Sequence, residues 1–245
     1  MTDINVKRLT IGIVTIIVGV ILTTGILIPV IQDVSNNDTE TSIKKVCTSG
    51  MTTWVVTNDG RLFGCGQNLE HQQGNDDGDN VTTFTQHLEN EKIKDVVADV
   101  NRTWVLTEDG KLFGCGNNSY GEQGIPVDGS NVTVFTQRLE NETVKKVEYT
   151  GNETWVVTTD GKLFGCGRNN WGEQGSGTSG NDTNVTEFTQ RLTNENIKDV
   201  FSSGQETWVV TTDGKLFGCG RNNYGQQGSG DTTNVTTFTQ RLNNE

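Results

Sequence analysis

The sequence predicts an all-β fold, a four-repeat β-propeller preceded by one N-terminal transmembrane helix, and three observations carry that prediction. First, the stretch from Thr207 to Gly228, TWVVTTDGKLFGCGRNNYGQQG, recurs in altered form from Thr53, Thr103 and Thr154. Second, its anchors keep step: Trp54, Trp104, Trp155 and Trp208 are 50, 51 and 53 residues apart, and so are Cys65, Cys115, Cys166 and Cys219. Third, each period holds β-branched runs and turn signals but no helical pattern, and a single hairpin is not stable alone in water. The copies must therefore pack on one another.

Composition agrees. The 245 residues include 30 Gly and only 2 Pro, with Thr and Asn between short apolar runs, which is the composition of many tight turns joining short strands. Formal net charge is −12. Asp3, Lys7 and Arg8 are the only charges before the apolar segment, so the repeats carry about −13 and repel a phosphate backbone. No Lys/Arg cluster reverses this locally, which excludes nucleic acid as a partner.

Taken in order, residues 1–8 form a short N-terminus and residues 9–31 a run without a charge, LTIGIVTIIVGVILTTGILIPVI, long enough to span the hydrocarbon of a bilayer as a helix. A cleaved signal peptide is the competing reading, but Ile31-Gln32-Asp33 offers no small-residue cleavage pattern. Lys7 and Arg8 precede the run and Asp33, Asp38 and Glu40 follow it, which places the N-terminus in the cytoplasm and the repeats outside. Residues 32–42 are a polar linker. Ten Asn-x-Ser/Thr triplets follow from a chain rich in Asn and Thr and do not establish glycosylation.

Residues 43–245 form the repeat domain. In each unit an IKKV-like strand starts at Ile43, Ile93, Val144 or Ile197, and a TWVV-type strand follows. An Asp-Gly turn leads into LFGCG from Leu62, Leu112, Leu163 or Leu216; FTQxL comes last, from Phe84, Phe135, Phe188 or Phe238. Four strands per unit is a propeller blade. The expected arrangement is a closed four-bladed ring in which Phe238 to Leu242 completes the first blade, because closure removes both open edges. An open arc, or a larger ring made by a second copy, is the alternative, so a homo-oligomer is one expected partner state.

These residues resemble the repeat of the regulator of chromosome condensation family, at Thr207, Val209, Val210, Thr211, Asp213, Gly214, Gly220, Asn222, Gly225, Gln226 and Gly228. The resemblance covers Ile43 to Glu245 and implies a β-propeller, usually of seven blades. Two departures are systematic. The family's His is Thr52, Arg102, Glu153 and Glu206 here, and its Trp before the final Gly is Cys65, Cys115, Cys166 and Cys219. The founding member of the family is a chromatin-bound exchange factor for a small GTPase, but its histone and DNA contacts lie largely outside the bare repeat and nothing here matches them. The resemblance therefore implies architecture, not activity.

Candidate chemistry is sparse. His71 and His87, where other units have Gly121 and Arg138, read as solvated substitutions; no catalytic residue and no cofactor is expected, and the protein is not read as an enzyme. The four repeated cysteines match a zinc ligand count but sit between glycines in a strand, so buried thiols are the expectation and no metal is assigned. A bond between Cys47 and Cys65 stays open. The acidic loop Asn75 to Asn80 reads as a solvated turn, not a calcium site. Ligand-binding candidates are Tyr120, Trp171 and Tyr224 in the Gly-rich loops, with Asn118, Asn170 and Asn223 beside them: rings for stacking and amides for hydrogen bonds. The competing reading has each ring covering a seam between blades. The functional expectation is a non-catalytic, membrane-anchored, extracytoplasmic protein-interaction or scaffolding module, its alternative a carbohydrate or small-ligand binder of lectin or adhesin type.

Overall fold

The computed structural model describes residues 42–242 together with Thr10, Ile11, Val14 and Thr15. Those four form β1 (Thr10–Ile11) and β2 (Val14–Thr15), an antiparallel pair joining Thr10 to Thr15 and Ile11 to Val14. The rest of the expected helix over 9–31, like the N-terminus before it and the linker up to Thr41, lies outside the described residues. Among the described residues no helix is long and apolar enough to cross a membrane.

Residues 42–242 fold as four antiparallel sheets, each of four strands in sequence order. The first blade is β3 (Ile43–Thr48), β4 (Thr52–Thr57), β5 (Leu62–Gly66) and β6 (Val81–His87). The second is β7 (Ile93–Ala98), β8 (Arg102–Thr107), β9 (Leu112–Gly116) and β10 (Val132–Arg138). The third is β11 (Val144–Thr150), β12 (Glu153–Thr158), β13 (Leu163–Gly167) and β14 (Val185–Arg191). The fourth is β15 (Ile197–Ser202), β16 (Glu206–Thr211), β17 (Leu216–Gly220) and β18 (Val235–Arg241).

This order corrects the expected closure. The first blade already owns its fourth strand, β6, which pairs Leu62 with His87 and Gly66 with Val81. Accordingly β18 pairs within its own blade, Leu216 with Arg241 and Gly220 with Val235, and does not complete the first. The long loop between the third and fourth strands of each unit hides this phase in the sequence. A second correction concerns the FTQxL strands, which end before their leucine: Leu88, Leu139, Leu192 and Leu242 adopt φ of 48, 50, 48 and 54° and turn the chain. A left-handed non-glycine residue is uncommon. In the first three blades it aims the leucine into an interblade core.

The hairpin between second and third strands follows from Thr-x-Asp-Gly. Thr57 Oγ1 donates to Asp59 and accepts the Arg61 amide at 2.9 Å, while Gly60 takes φ 84°, and the same bonds recur at Thr107, Thr158 and Thr211. The Thr hydroxyl, first among several causes, holds each Asp carboxyl below its usual range.

Packing between blades repeats three times. Trp54 stands directly opposite Gly64 on β5, where a Cβ would lie 2.4 Å from the indole, so only glycine lets the ring lie flat on its own sheet. The other side of the ring meets Phe135 of the next blade, centroids 5.8 Å apart at 72°. Trp104 meets Phe188 at 6.0 Å and Trp155 meets Phe238 at 5.8 Å. All three indoles are fully buried. Around them Leu62, Leu112 and Leu163 of one blade bury against Ile93, Val144 and Ile197 of the next, giving three cores for four blades. Trp208, in the last blade, is only half-buried. At the opposite end Ile43 and Val46 are 50% and 55% exposed, although their counterparts in later blades are buried. Among the described residues the domain is an open arc.

Trp155→Ala should destabilise the domain by about 3–5 kcal/mol, the range for emptying a large core site. Gly165→Ala, whose Cβ would lie 2.4 Å from the Trp155 ring, should cost about 1–3 kcal/mol by overpacking. Because the added methyl occupies space that the lost indole vacates, denaturant unfolding of the double variant should show a loss smaller than the sum of the two. Strict additivity would place the two groups out of contact.

Candidate functional site

The loops between third and fourth strands carry the functional candidates, and one buried asparagine per blade organises each of them. Asn68, Asn118, Asn169 and Asn222 accept the amides of Gln73, Gln123, Gln174 and Gln227 at 2.9, 3.0, 3.0 and 2.8 Å. Their Nδ2 groups donate to carbonyls across the loop, Ile125 O at 3.3 Å in the case of Asn118. The glutamines donate in turn to the carbonyls of Cys65, Cys115, Cys166 and Cys219 at 2.8 to 2.9 Å, tying the loop to the sheet. Asn118 is thus an internal brace, 2% exposed, in phase with Asn169 and Asn222. It is not a partner for a ligand, and the residue in phase with Asn170 and Asn223 is Ser119.

The next position projects Glu70, Tyr120, Trp171 and Tyr224. Each backbone amide is fixed by the side chain two residues on: Tyr120 N to Glu122 at 2.6 Å, Trp171 N to Glu173 at 2.5 Å, Tyr224 N to Gln226 at 2.9 Å. Tyr224 is 82% exposed and Tyr120 36%. Trp171 is half-buried. The Arg221 guanidinium lies 5.0 Å from the Trp171 centroid and 5.4 Å from that of Tyr224, so two of the three candidate aromatics share one cation. Arg221 also donates to Gln205 at 2.5 Å. Tyr120 stands outside this cluster. Asn223 is exposed beside it, and Asn170 is half-buried with its amide on Glu173 at 3.1 Å.

Beneath the rim lies a row that the sequence reading named only as departures from a family pattern. The positions of the family His pair with the Gln/Glu twenty residues on, as Arg102–Glu122, Glu153–Glu173 and Glu206–Gln226. Arg102 is buried, bonded to Glu122 and to Asp99 at 3.0 Å, donates to Gly151 O at 2.6 Å, and stacks 4.8 Å from the Tyr149 ring. Glu153 has no such cation. Burial, then the nearby Glu173 charge, push its carboxyl up to about 8, while Ser202 donates to it at 2.8 Å. The signal was available: a residue type changing from Thr to Arg to Glu at one phase, with Gln or Glu always at the other.

The histidines differ from expectation. His87 is 8% exposed, packed 5.2 Å from the Trp54 ring and 5.9 Å from Phe135, and burial lowers its pKa to about 4. It is a core residue, because its phase is that of Arg138 and Arg191, whose aliphatic stems take this place while their Nε reach Gln123 O and Gln174 O at 2.8 Å. His71 fills a left-handed position, φ 60°, where the other blades have glycine, and its Nδ1 lies 3.0 Å from Asn75 O. All five cysteines are free. Cys115, Cys166 and Cys219 are buried between blades, their thiols 3.5, 3.5 and 3.3 Å from the carbonyls of Gln72, Glu122 and Glu173. Cys47 and Cys65 lie on β3 and β5, with β4 between them. Two strand spacings, about 9–10 Å, exceed what a disulfide spans. Among the described residues no group of three or more His, Cys, Asp and Glu is placed to hold a metal ion.

Glu153 gives the site a pH signature. Between about pH 4.5 and pH 8 the folded chain keeps a proton on Glu153 that the unfolded chain releases. Its effect on stability is therefore most favourable at the acid end of this window and worsens as pH rises, levelling off above about pH 8. Glu153→Gln should flatten that decline and raise stability at pH 8 by on the order of a few kcal/mol. Denaturant titrations from pH 5 to pH 8.5 check this, and an unchanged slope would refute it.

The family described as Regulator of chromosome condensation (RCC1) repeat matches residues 93–122 and 197–226, the first three strands and the start of the following loop in the second and fourth blades. X-linked retinitis pigmentosa GTPase regulator of Canis lupus familiaris is 37% identical over 75 residues, 31% of this chain and 7% of that protein. Among solved structures, Prp20p from Saccharomyces cerevisiae superposes with a TM-score of 0.67 at 19% identity, over 84% of this chain and 51% of that one. Human WBSCR16 gives 0.66 at 18% identity, over 84% and 55%. The chain spans about half the length of these solved structures and a small part of the canine protein. The second and fourth blades thus match the regulator of chromosome condensation repeat, and the four blades share the propeller-blade fold of these solved structures.

Proposed function

We propose that the domain is a non-catalytic protein-interaction module whose contact surface is the loop rim at Trp171, Arg221 and Tyr224, held to a membrane by residues 9–31 with the blades on the extracytoplasmic side. The observation that carries the first part is Tyr224, 82% exposed on a loop whose backbone is fixed by buried amides, with its ring against Arg221. Aromatic and arginine side chains held ready for contact are the groups that dominate protein interfaces, and a rigid mount spares the cost of ordering them. The proposed absence of catalysis is supported by where the titratable groups go: Arg102, Glu122 and Glu153 are buried in the framework under the loops. The membrane part rests on the uncharged run and on Lys7 and Arg8 before it. A carbohydrate rim fits less well, since a stacked sugar needs an open aromatic face and Arg221 lies over both Trp171 and Tyr224.

Tyr224→Ala and Arg221→Ala should each weaken capture of the protein partner at least about tenfold, with little change in the unfolding midpoint. Affinity purification of the full chain against each variant reads this out. Retention of every captured protein by both variants would remove the rim from the interface, and selective loss of glycan binding would favour the carbohydrate reading. Protease added to intact cells should remove the blades, and their full protection would reverse the proposed topology.

A further inference from the structure

Repetition shows what each end of the arc lacks. At every joint a blade presents Trp, Leu and the left-handed Leu, as Trp155, Leu163 and Leu192 do, and the next blade covers them with an inner-strand Ile/Val pair and an outer-strand Phe, as Ile197, Val200 and Phe238 do. Among the described residues the last blade presents the same first half uncovered: Trp208 and Leu216 are half-buried and Leu242 is 71% exposed. The first blade presents the second half, Ile43, Val46 and Phe84, at 50%, 55% and 56% exposure.

We propose that two copies of this chain join head to tail into one closed eight-bladed ring, the last blade of each copy seated on the first blade of the other. The polar contacts are complementary too. At each internal joint a loop-turn glycine carbonyl accepts the first amide of the next inner strand, Gly60 O from Ile93 N at 2.9 Å and Gly161 O from Ile197 N at 2.8 Å. Gly214 O and Ile43 N are the corresponding pair left at the two ends. Likewise Thr103 and Thr154 donate to Gln72 O and Glu122 O of the preceding blade at 2.7 and 2.8 Å. Thr53 is half-buried and among the described residues has no preceding blade; an open surface depression lined by Met51, Cys65 and Gly66 among others lies on the same blade. The loop carrying Gln226 of a second copy would fill this space.

Charge selects the same pairing. The third residue of the inner strands alternates Lys45, Asp95, Lys146, Asp199, with ion pairs joining Lys45 to Asp95 and, at 2.7 Å, Lys146 to Asp199. Setting Lys45 of a second copy beside Asp199 continues the alternation unbroken. Two arcs of four blades make eight, and eight blades is within the range that propellers adopt. A heterologous contact that closes after two copies leaves no free end. The two-fold axis then lies along the ring axis, and both chains enter the ring from the same face.

The test is sedimentation equilibrium of the full chain in density-matched detergent micelles. The expected mass is twice that of the 26.8 kDa chain, with no larger species at higher concentration. Val46→Asp and Phe84→Ala alter side chains exposed in a single copy, so each should fold with unchanged circular dichroism while raising the dissociation concentration at least about tenfold. A monomer at tens of micromolar overturns the proposal. So does a dimer that both variants leave intact, which would assign association to the N-terminal segment, and so does a ladder of larger species, which would mean that the arcs stack without closing.

Discussion

The contact on which this fold depends is an indole lying on a glycine of its own sheet and capped by a phenylalanine of the next. Neither half suffices. Gly64, Gly114, Gly165 and Gly218 remove the Cβ that would collide with the ring, so the tryptophan lies flat and offers one broad face outward. That face is apolar and must be covered, and the sequence supplies the cover about eighty residues later, from Phe135, Phe188 and Phe238. A blade is therefore incomplete by construction, and stability resides in the joints, as in a chain of nearest-neighbour couplings. Trp54, Trp104 and Trp155 are fully buried, whereas Trp208, with no following blade, is not.

Polar bonds set the spacing that this packing requires. A buried carbonyl must find a donor, and Gln72 O and Glu122 O find theirs in the threonine and cysteine of the following blade. The cysteine is small enough to sit at the joint, and burial pushes its thiol well above the ordinary range, so it stays neutral. The residues carrying these carbonyls also fix the rim: Glu122 holds the Tyr120 amide and Glu173 the Trp171 amide. Rim and core are thereby connected, since the side chains of Glu122 and Glu173 hold the rim amides while their carbonyls accept from the next blade.

Strand content and the indole core were legible in the sequence because they depend on local pattern: β-branched alternation, Thr-x-Asp-Gly turns and a tryptophan at constant phase. Closure was not, since the period of about fifty residues is the same wherever a repeat is cut, and only pairing shows that Val81–His87 belongs with Leu62–Gly66. The same ambiguity misplaced Asn118. Two adjacent asparagines at Asn169-Asn170 and Asn222-Asn223 look interchangeable in sequence, yet one is buried under the loop and the other borders the rim. His87 was misread for a different reason. Its counterparts are arginines, whose charge suggests a surface, but their stems run through the joint between blades, and histidine at that position buries its ring against Trp54.

What differs between the blades then becomes informative, because the scaffold holds everything else constant. The strands LFGCG and the turn residues hardly change, while the paired positions under the loops run through Thr52 and Gln72, Arg102 and Glu122, Glu153 and Glu173, Glu206 and Gln226. Isolated substitution at either position would bury a charge without a partner, a cost of several kcal/mol. The arginine of the second blade is answered by a carboxylate at its paired position. In the third blade two carboxylates face each other, and the conflict is relieved by keeping a proton on Glu153, with Arg168 reaching Glu173 at 3.3 Å. Each solution supports a different residue above it, Tyr120 over Glu122 and Trp171 over Glu173. A symmetric framework thereby presents an asymmetric rim, with Arg221 held between Trp171 and Tyr224 at one step of the arc and an uncovered tyrosine at another. If the rim is the contact surface proposed above, its specificity lies in which blade carries which ring, and exchanging whole loops between blades is expected to change the partner while leaving the joints that hold the fold in place.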